Sequence, residues 1–97
     1  MTREELEASW LHLTRGELPA LADERGWPVR YDHCFQRILL DNACEGRWYD
    51  TIDKRPAYAH ASAEVLAKAV ALARAVIASE TDLDGLNRRS LGWRGKR

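Results

Sequence analysis

Between Asp32 and Gly46 lies a run that only a ring of neighbours can satisfy. Asp32 suits a helix N-cap and Gly46 a C-terminal stop, which predicts a helix running to Glu45. At about 100° per residue, Phe35, Ile38, Leu39, Leu40 and Ala43 cover a wide arc interrupted only by Gln36 and Asn42. A helix resting on one neighbour needs only an apolar stripe, so one that is apolar round most of its girth has to sit inside a bundle. The polar remainder is a narrow strip. His33, Arg37, Asp41 and Cys44 fall within about 80° of one another because they are spaced near multiples of a turn.

The rest of the chain supplies the neighbours. Thr2 and Glu5 form a capping-box pattern, and Leu6, Trp10 and Leu13 recur at helical spacing, predicting a first helix over about 3–13. Gly16 and Pro19 interrupt it, and a second helix near 18–25 is ended by Gly26. Pro28 makes the following link extended. Residues 47–61 carry Trp48, Tyr49, Ile52, Pro56 and Tyr58 without a clear period and read as a turn or short helix followed by a packed loop. Ser62 caps a long helix, 63–79, with Val65, Leu66, Ala69, Val70, Leu72, Ala73, Val76 and Ile77 on its core face. Thr81 and Asp84 suit the start of a last helix through Leu83 and Leu86, with Leu91 in register to extend it before Gly92 and Gly95 loosen the arm. With 97 residues there is material for one core, so the expected fold is all-α: a single domain forming a compact bundle of four to five short helices.

Charge divides the chain. Its last ten positions hold Arg88, Arg89, Arg94, Lys96 and Arg97 and no acid, so a formally neutral protein consists of an acidic helical domain, 1–87, and a basic C-terminal arm, 88–97. The acidic N-terminus has no apolar run behind it, so no secretory signal is expected. The longest mostly apolar stretch, 65–78, is broken by Lys68 and Arg74 and falls short of the ~20 residues a membrane span needs. Cys34 and Cys44 on one helix stand about 15 Å apart, beyond disulfide reach. They read as reduced thiols in a cytoplasmic protein.

Two groups of residues carry chemistry. The strip His33, Arg37, Asp41 and Cys44 unites an acid–base group, an anion binder, a carboxylate and a thiol, the parts of a small catalytic or ligand-binding site. On the blander reading, Arg37 and Asp41 form an ordinary i, i+4 surface pair. The arm joins Arg88, Arg89, Arg94, Lys96 and Arg97 to Trp93, and with Arg47 it has the means to neutralise phosphates and stack on a base. His12 and His60 each stand alone beside apolar neighbours and read as structural. His33, Asp41, Cys44 and His60 lack the paired spacings of a structural zinc site, so neither a metal nor a cofactor is expected. Ala67, Ala71, Ala75 and Ala78 leave one side of the long helix small enough for another helix, in this chain or a second copy, to approach.

The run Arg25-Gly26-Trp27-Pro28-Val29-Arg30-Tyr31-Asp32-His33-Cys34-Phe35-Gln36-Arg37-Ile38, with Leu40-Asp41 after it and Asn87 to Trp93 near the end, resembles a group of short microbial proteins, some described as GCN5-related N-acetyltransferases. That description would imply acetyl transfer from coenzyme A on a longer, mixed sheet-and-helix fold whose Arg/Gln-x-x-Gly-x-Gly/Ala loop holds the pyrophosphate. This chain has neither strand patterns nor that loop, so no site residue is carried over. The reading expected from the residues is a small helical module associated with nucleic acid through its arm. The alternatives are a small enzyme or ligand-binding protein built on the strip, or a module that forms a homodimer.

Overall fold

The computed structural model describes residues 1–95, and these form helices and turns with no strand among them. The first helix, α1 (Arg3–His12), starts at the reciprocal cap: Thr2 Oγ1 accepts from the Glu5 amide at 3.1 Å, and Glu5 Oε1 accepts from the Thr2 amide at 2.9 Å. The expected break after it does not occur. Residues Leu13–Glu17 widen into a π-helical segment and pass directly into α2 (Leu18–Arg25). Pro19 has no N–H to give, and the widened turn, in which the Leu18 amide reaches back to the Leu13 carbonyl, carries the helix past it. Gly26 then ends α2 at φ 63°, a left-handed conformation that glycine adopts without strain.

The central helix, α3 (Asp32–Cys44), follows the sequence closely, with both ends displaced by a residue. Tyr31 occupies the N-cap, and Asp32 bonds the His33 amide at 2.8 Å. Glu45 rather than Gly46 takes the left-handed C-cap, at φ 55°. Phe35, Ile38 and Leu39 are wholly buried, as the wide apolar arc requires. Asp41 and Asn42 are buried with them, although the wheel places Asp41 on the polar strip.

A 3-10 turn, Trp48–Asp50, and a short helix, α4 (Ala57–His60), lead to α5 (Ala63–Ile77), where Ser62 Oγ accepts from the Val65 amide at 3.1 Å. Leu66, Ala69 and Ala73 of α5 lie fully inside, and this helix is the main partner of α3. Ala67, Ala71 and Ala78 stay exposed, with Ala75 half-buried. Asp82, between the two residues the sequence favours, caps α6 (Leu83–Trp93) through bonds from the Asp84 and Gly85 amides. Helix α6 packs on α3 and crosses the boundary expected at residue 88. Leu83, Leu86, Ser90 and Arg94 continue one face, and buried Ser90 binds that face to the core, so residues 88–94 are not a loose arm. Lys96 and Arg97 lie outside the described residues. No helix among the described residues is long and apolar enough to cross a membrane.

A candidate anion-binding cavity

The site is built in front of a buried carboxylate. Asp41 is 0% exposed and accepts four hydrogen bonds. Oδ2 takes the Ser90 hydroxyl at 2.7 Å and Arg94 Nε at 2.7 Å, while Oδ1 takes the Trp48 amide at 2.9 Å and Arg94 Nη2 at 3.1 Å. Such saturation is what makes a buried charge tolerable. The same bond holds Arg94 firmly in its charged form, above the ordinary arginine value. Asp41 is therefore an internal fastener joining α3 to α6 and to the start of the 3-10 turn. With no accessible oxygen, it cannot serve as the catalytic carboxylate of the strip.

Arg37, one turn earlier on α3, does not pair with Asp41. Its Nη1 donates to Ser90 Oγ at 2.7 Å and its Nη2 to Asn87 Oδ1 at 2.9 Å. The Ser90 hydroxyl thus accepts from Arg37 and passes its own proton toward Asp41, which fixes the guanidinium through a neutral relay. Burial lowers the Arg37 pKa from its ordinary value, and the nearby Arg94 charge adds to the effect. Arg37 is a partly buried cation whose recorded hydrogen-bond partners are uncharged oxygens.

That cation opens onto a cavity of about 280 Å³ between α1, the π segment, α3 and the 48–58 connection. Arg15 comes from the π segment, His33, Gln36, Arg37 and Leu40 from α3, and Trp48, Arg55, Pro56, Ala57 and Tyr58 from the connection and α4, with Trp10 of α1 completing the wall. Arg3 Nη2 donates to the Tyr58 carbonyl at 2.8 Å and so ties α4 to α1. Arg55 lies over the Trp48 ring, 4.9 Å from its centroid. Three arginines and a histidine belong to the lining of this space, and no Asp, Glu or Cys does. None of Arg15, Arg37 and Arg55 has an ion-pair partner among the described residues.

The strip read from the sequence is therefore divided. His33 and Arg37 share the cavity, Asp41 is sealed behind it, and Cys44 lies outside its lining. Burial pushes the Cys44 thiol up from its ordinary value, which makes it a poor nucleophile at neutral pH. His33 is largely exposed, stacked on Tyr31 with ring centroids 5.8 Å apart, and its Nδ1 is 3.7 Å from Asp32. His12 and His60 are both surface residues, not core ones, and His12 faces Glu17 at 3.3 Å. Among the described residues no three His, Cys, Asp or Glu side chains converge as a metal site would require.

The basic arm is divided as well. Arg94 is committed to Asp41, and Arg47 is bonded to Asp50 at 2.9 Å, whereas Arg88, Arg89 and Trp93 are exposed. Arg15, Gln36, Arg55 and Tyr58 are site residues that sequence reasoning missed. They are scattered along the chain, and no motif links them before the helices close. The one local signal is Gly16 in the π segment with Pro19 just after it in α2, both within a helical pattern, since such widened turns often accompany functional sites. No family model matches the chain, and neither a curated protein nor a solved structure matches it.

Proposed function

We propose that this protein is a ligand-binding module that takes a small anionic molecule into the cavity between α3 and the 48–58 connection. The observation that carries the reading is Arg37, a partly buried residue whose guanidinium is held by Ser90 and Asn87 and which lines a space together with Arg15 and Arg55. A cation fixed by neutral oxygens in a partly desolvated wall gains more from an incoming anion than a solvated one does. At an effective dielectric near 20, a unit charge at 4 Å is worth about 4 kcal/mol before desolvation is subtracted. Binding, rather than turnover, follows from the lining. It offers donors and flat apolar surface, and its one imidazole, His33, is largely exposed. Titration with inorganic phosphate, followed by calorimetry, tests this. Phosphate should bind, and Arg37→Met should weaken it about tenfold or more, the loss expected for a charge-assisted contact. Failure of phosphate, sulfate and pyrophosphate to bind the wild-type protein would refute the reading.

Association with nucleic acid is retained as a second reading because Arg89 and Trp93 stand one turn apart, both exposed on α6, with Arg88 beside them. A cation and an indole at that spacing suit a phosphate and a stacked base. Binding to single- and double-stranded DNA and RNA at two salt concentrations tests it, and binding that is absent, or indifferent to salt, removes it.

A further inference from the structure

We infer that the ligand of this cavity is a nucleoside monophosphate, an inference that rests on the anion-binding reading and narrows it. Three features of the wall select the class. Three lining arginines without ion-pair partners among the described residues match the doubly charged head of a phosphate monoester better than a single carboxylate, because such a head carries about −1.5 to −2 charges at neutral pH. Trp10, Trp48 and Tyr58, with Leu40 beside them, give the same space flat apolar sides that suit a ring. At about 280 Å³ the cavity is near the lower end of small-molecule sites, which runs from about 300 Å³, so it admits one nucleotide and not a dinucleotide-sized cofactor.

Beyond these three, the orientation of Gln36 narrows the class further. The Thr14 hydroxyl has one proton, and it donates that proton to the Trp10 carbonyl at 2.8 Å. Thr14 Oγ1 can then only accept, so Gln36 must turn its amide nitrogen toward it, as it does at 3.0 Å. The Gln36 Oε1 atom is thereby left as a hydrogen-bond acceptor, and it accepts nothing among the described residues. Beside the arginine donors of this wall, one fixed acceptor calls for an N–H on the ligand. The indole N–H of Trp10, another residue of this wall, is buried without a partner among the described residues. A nucleobase edge carries donor and acceptor side by side, next to a ring and at the far end of a phosphorylated sugar. The same chemistry has two sources, a free mononucleotide or the 5′-phosphorylated end of a strand.

The test is a calorimetric titration of the wild-type protein with inorganic phosphate, ribose 5-phosphate, the four ribonucleoside monophosphates and adenosine. It is repeated with short oligonucleotides bearing a 5′-phosphate or a 5′-hydroxyl. At least one monophosphate should bind about tenfold or more tightly than ribose 5-phosphate, which is the contribution of one stacked base. Adenosine, without the anion, should bind far more weakly than that monophosphate. Gln36→Met should remove most of the advantage of the base while leaving ribose 5-phosphate unchanged. A 5′-phosphorylated strand that outcompetes every free monophosphate, with its 5′-hydroxyl counterpart inactive, would support the same chemistry and name the strand end as the source. If phosphate, ribose 5-phosphate and all four nucleotides bind equally, the nucleotide inference is overturned and the anion-binding reading stands. If none binds, both fall.

Discussion

Replacing Arg94 with methionine removes the guanidinium that neutralises the buried Asp41 carboxylate while keeping most of the side-chain stem. The Asp41 side chain is 0% exposed and that of Arg94 only 20%, so water cannot replace the lost partner without opening the contact between α3 and α6. Breaking a buried pair from one side typically costs ~3–5 kcal/mol. Asp41 keeps the Trp48 amide and the Ser90 hydroxyl, which places Arg94→Met at the lower end, at about 3 kcal/mol. For a domain of this size each kcal/mol moves the melting midpoint by ~4–8 °C, so a fall of ~12–24 °C is expected. An ordinary surface pair would give at most about 1 kcal/mol, and the two outcomes are well separated. Thermal and urea unfolding followed by circular dichroism measure the change. In an Asp41→Asn background, where the charge is already gone, Arg94→Met should cost less than about 1 kcal/mol. A midpoint that falls by under about 5 °C in the wild-type background, or equal costs in the two backgrounds, would refute the role of Asp41 as a buried fastener.

Two further expectations concern titration. The Glu5 carboxyl is held below its ordinary value, first by the Thr2 backbone amide and then by the Thr2 side chain. Its contribution to stability is therefore present above the ordinary glutamate range and lost as pH falls through the depressed value, so the urea midpoints of wild type and Glu5→Gln should converge on acidification. A gap that stays constant from neutrality down to about pH 3 would show that the cap does not act through the carboxylate. Cys44, raised by burial, should react slowly with iodoacetamide near neutrality and faster as the solution becomes more alkaline. Peptide mapping after a short pulse reads this site separately from Cys34, and labelling of Cys44 at the rate of a free cysteine at about pH 7.5 would contradict it.

The anion-binding proposal bears on how the ends of the bundle are connected. Arg37 faces the cavity on one side and is held through Ser90 on the other, and Ser90 shares Asp41 with Arg94. The final turn of α6 is thus mechanically continuous with the ligand wall, through neutral and charged hydrogen bonds whose members are each within 2.7–3.1 Å of the next. A residue such as Ser90, with no chemistry of its own, becomes a determinant of how the guanidinium is presented.

Helical class, the central place of α3 and the caps at Thr2, Ser62 and Gly26 could all be read from the chain alone, because each depends on residues within one or two turns of each other. Periodicity reports which side of a helix avoids water, and for Phe35, Ile38 and Leu39 that was enough. It could not report that Asp41 would be buried, since a carboxylate goes inside only if donors from distant segments are waiting for it. Here they come from Trp48, Ser90 and Arg94. For the same reason the basic end read as an arm until Arg94 was seen to have a buried partner, and Gly16 and Pro19 read as a break until the π-helical turn absorbed them. The cavity belongs wholly to the tertiary structure. Arg15, Arg37 and Arg55 come from three separate segments, and a cluster of like charges arises only when packing of the apolar faces brings those segments together.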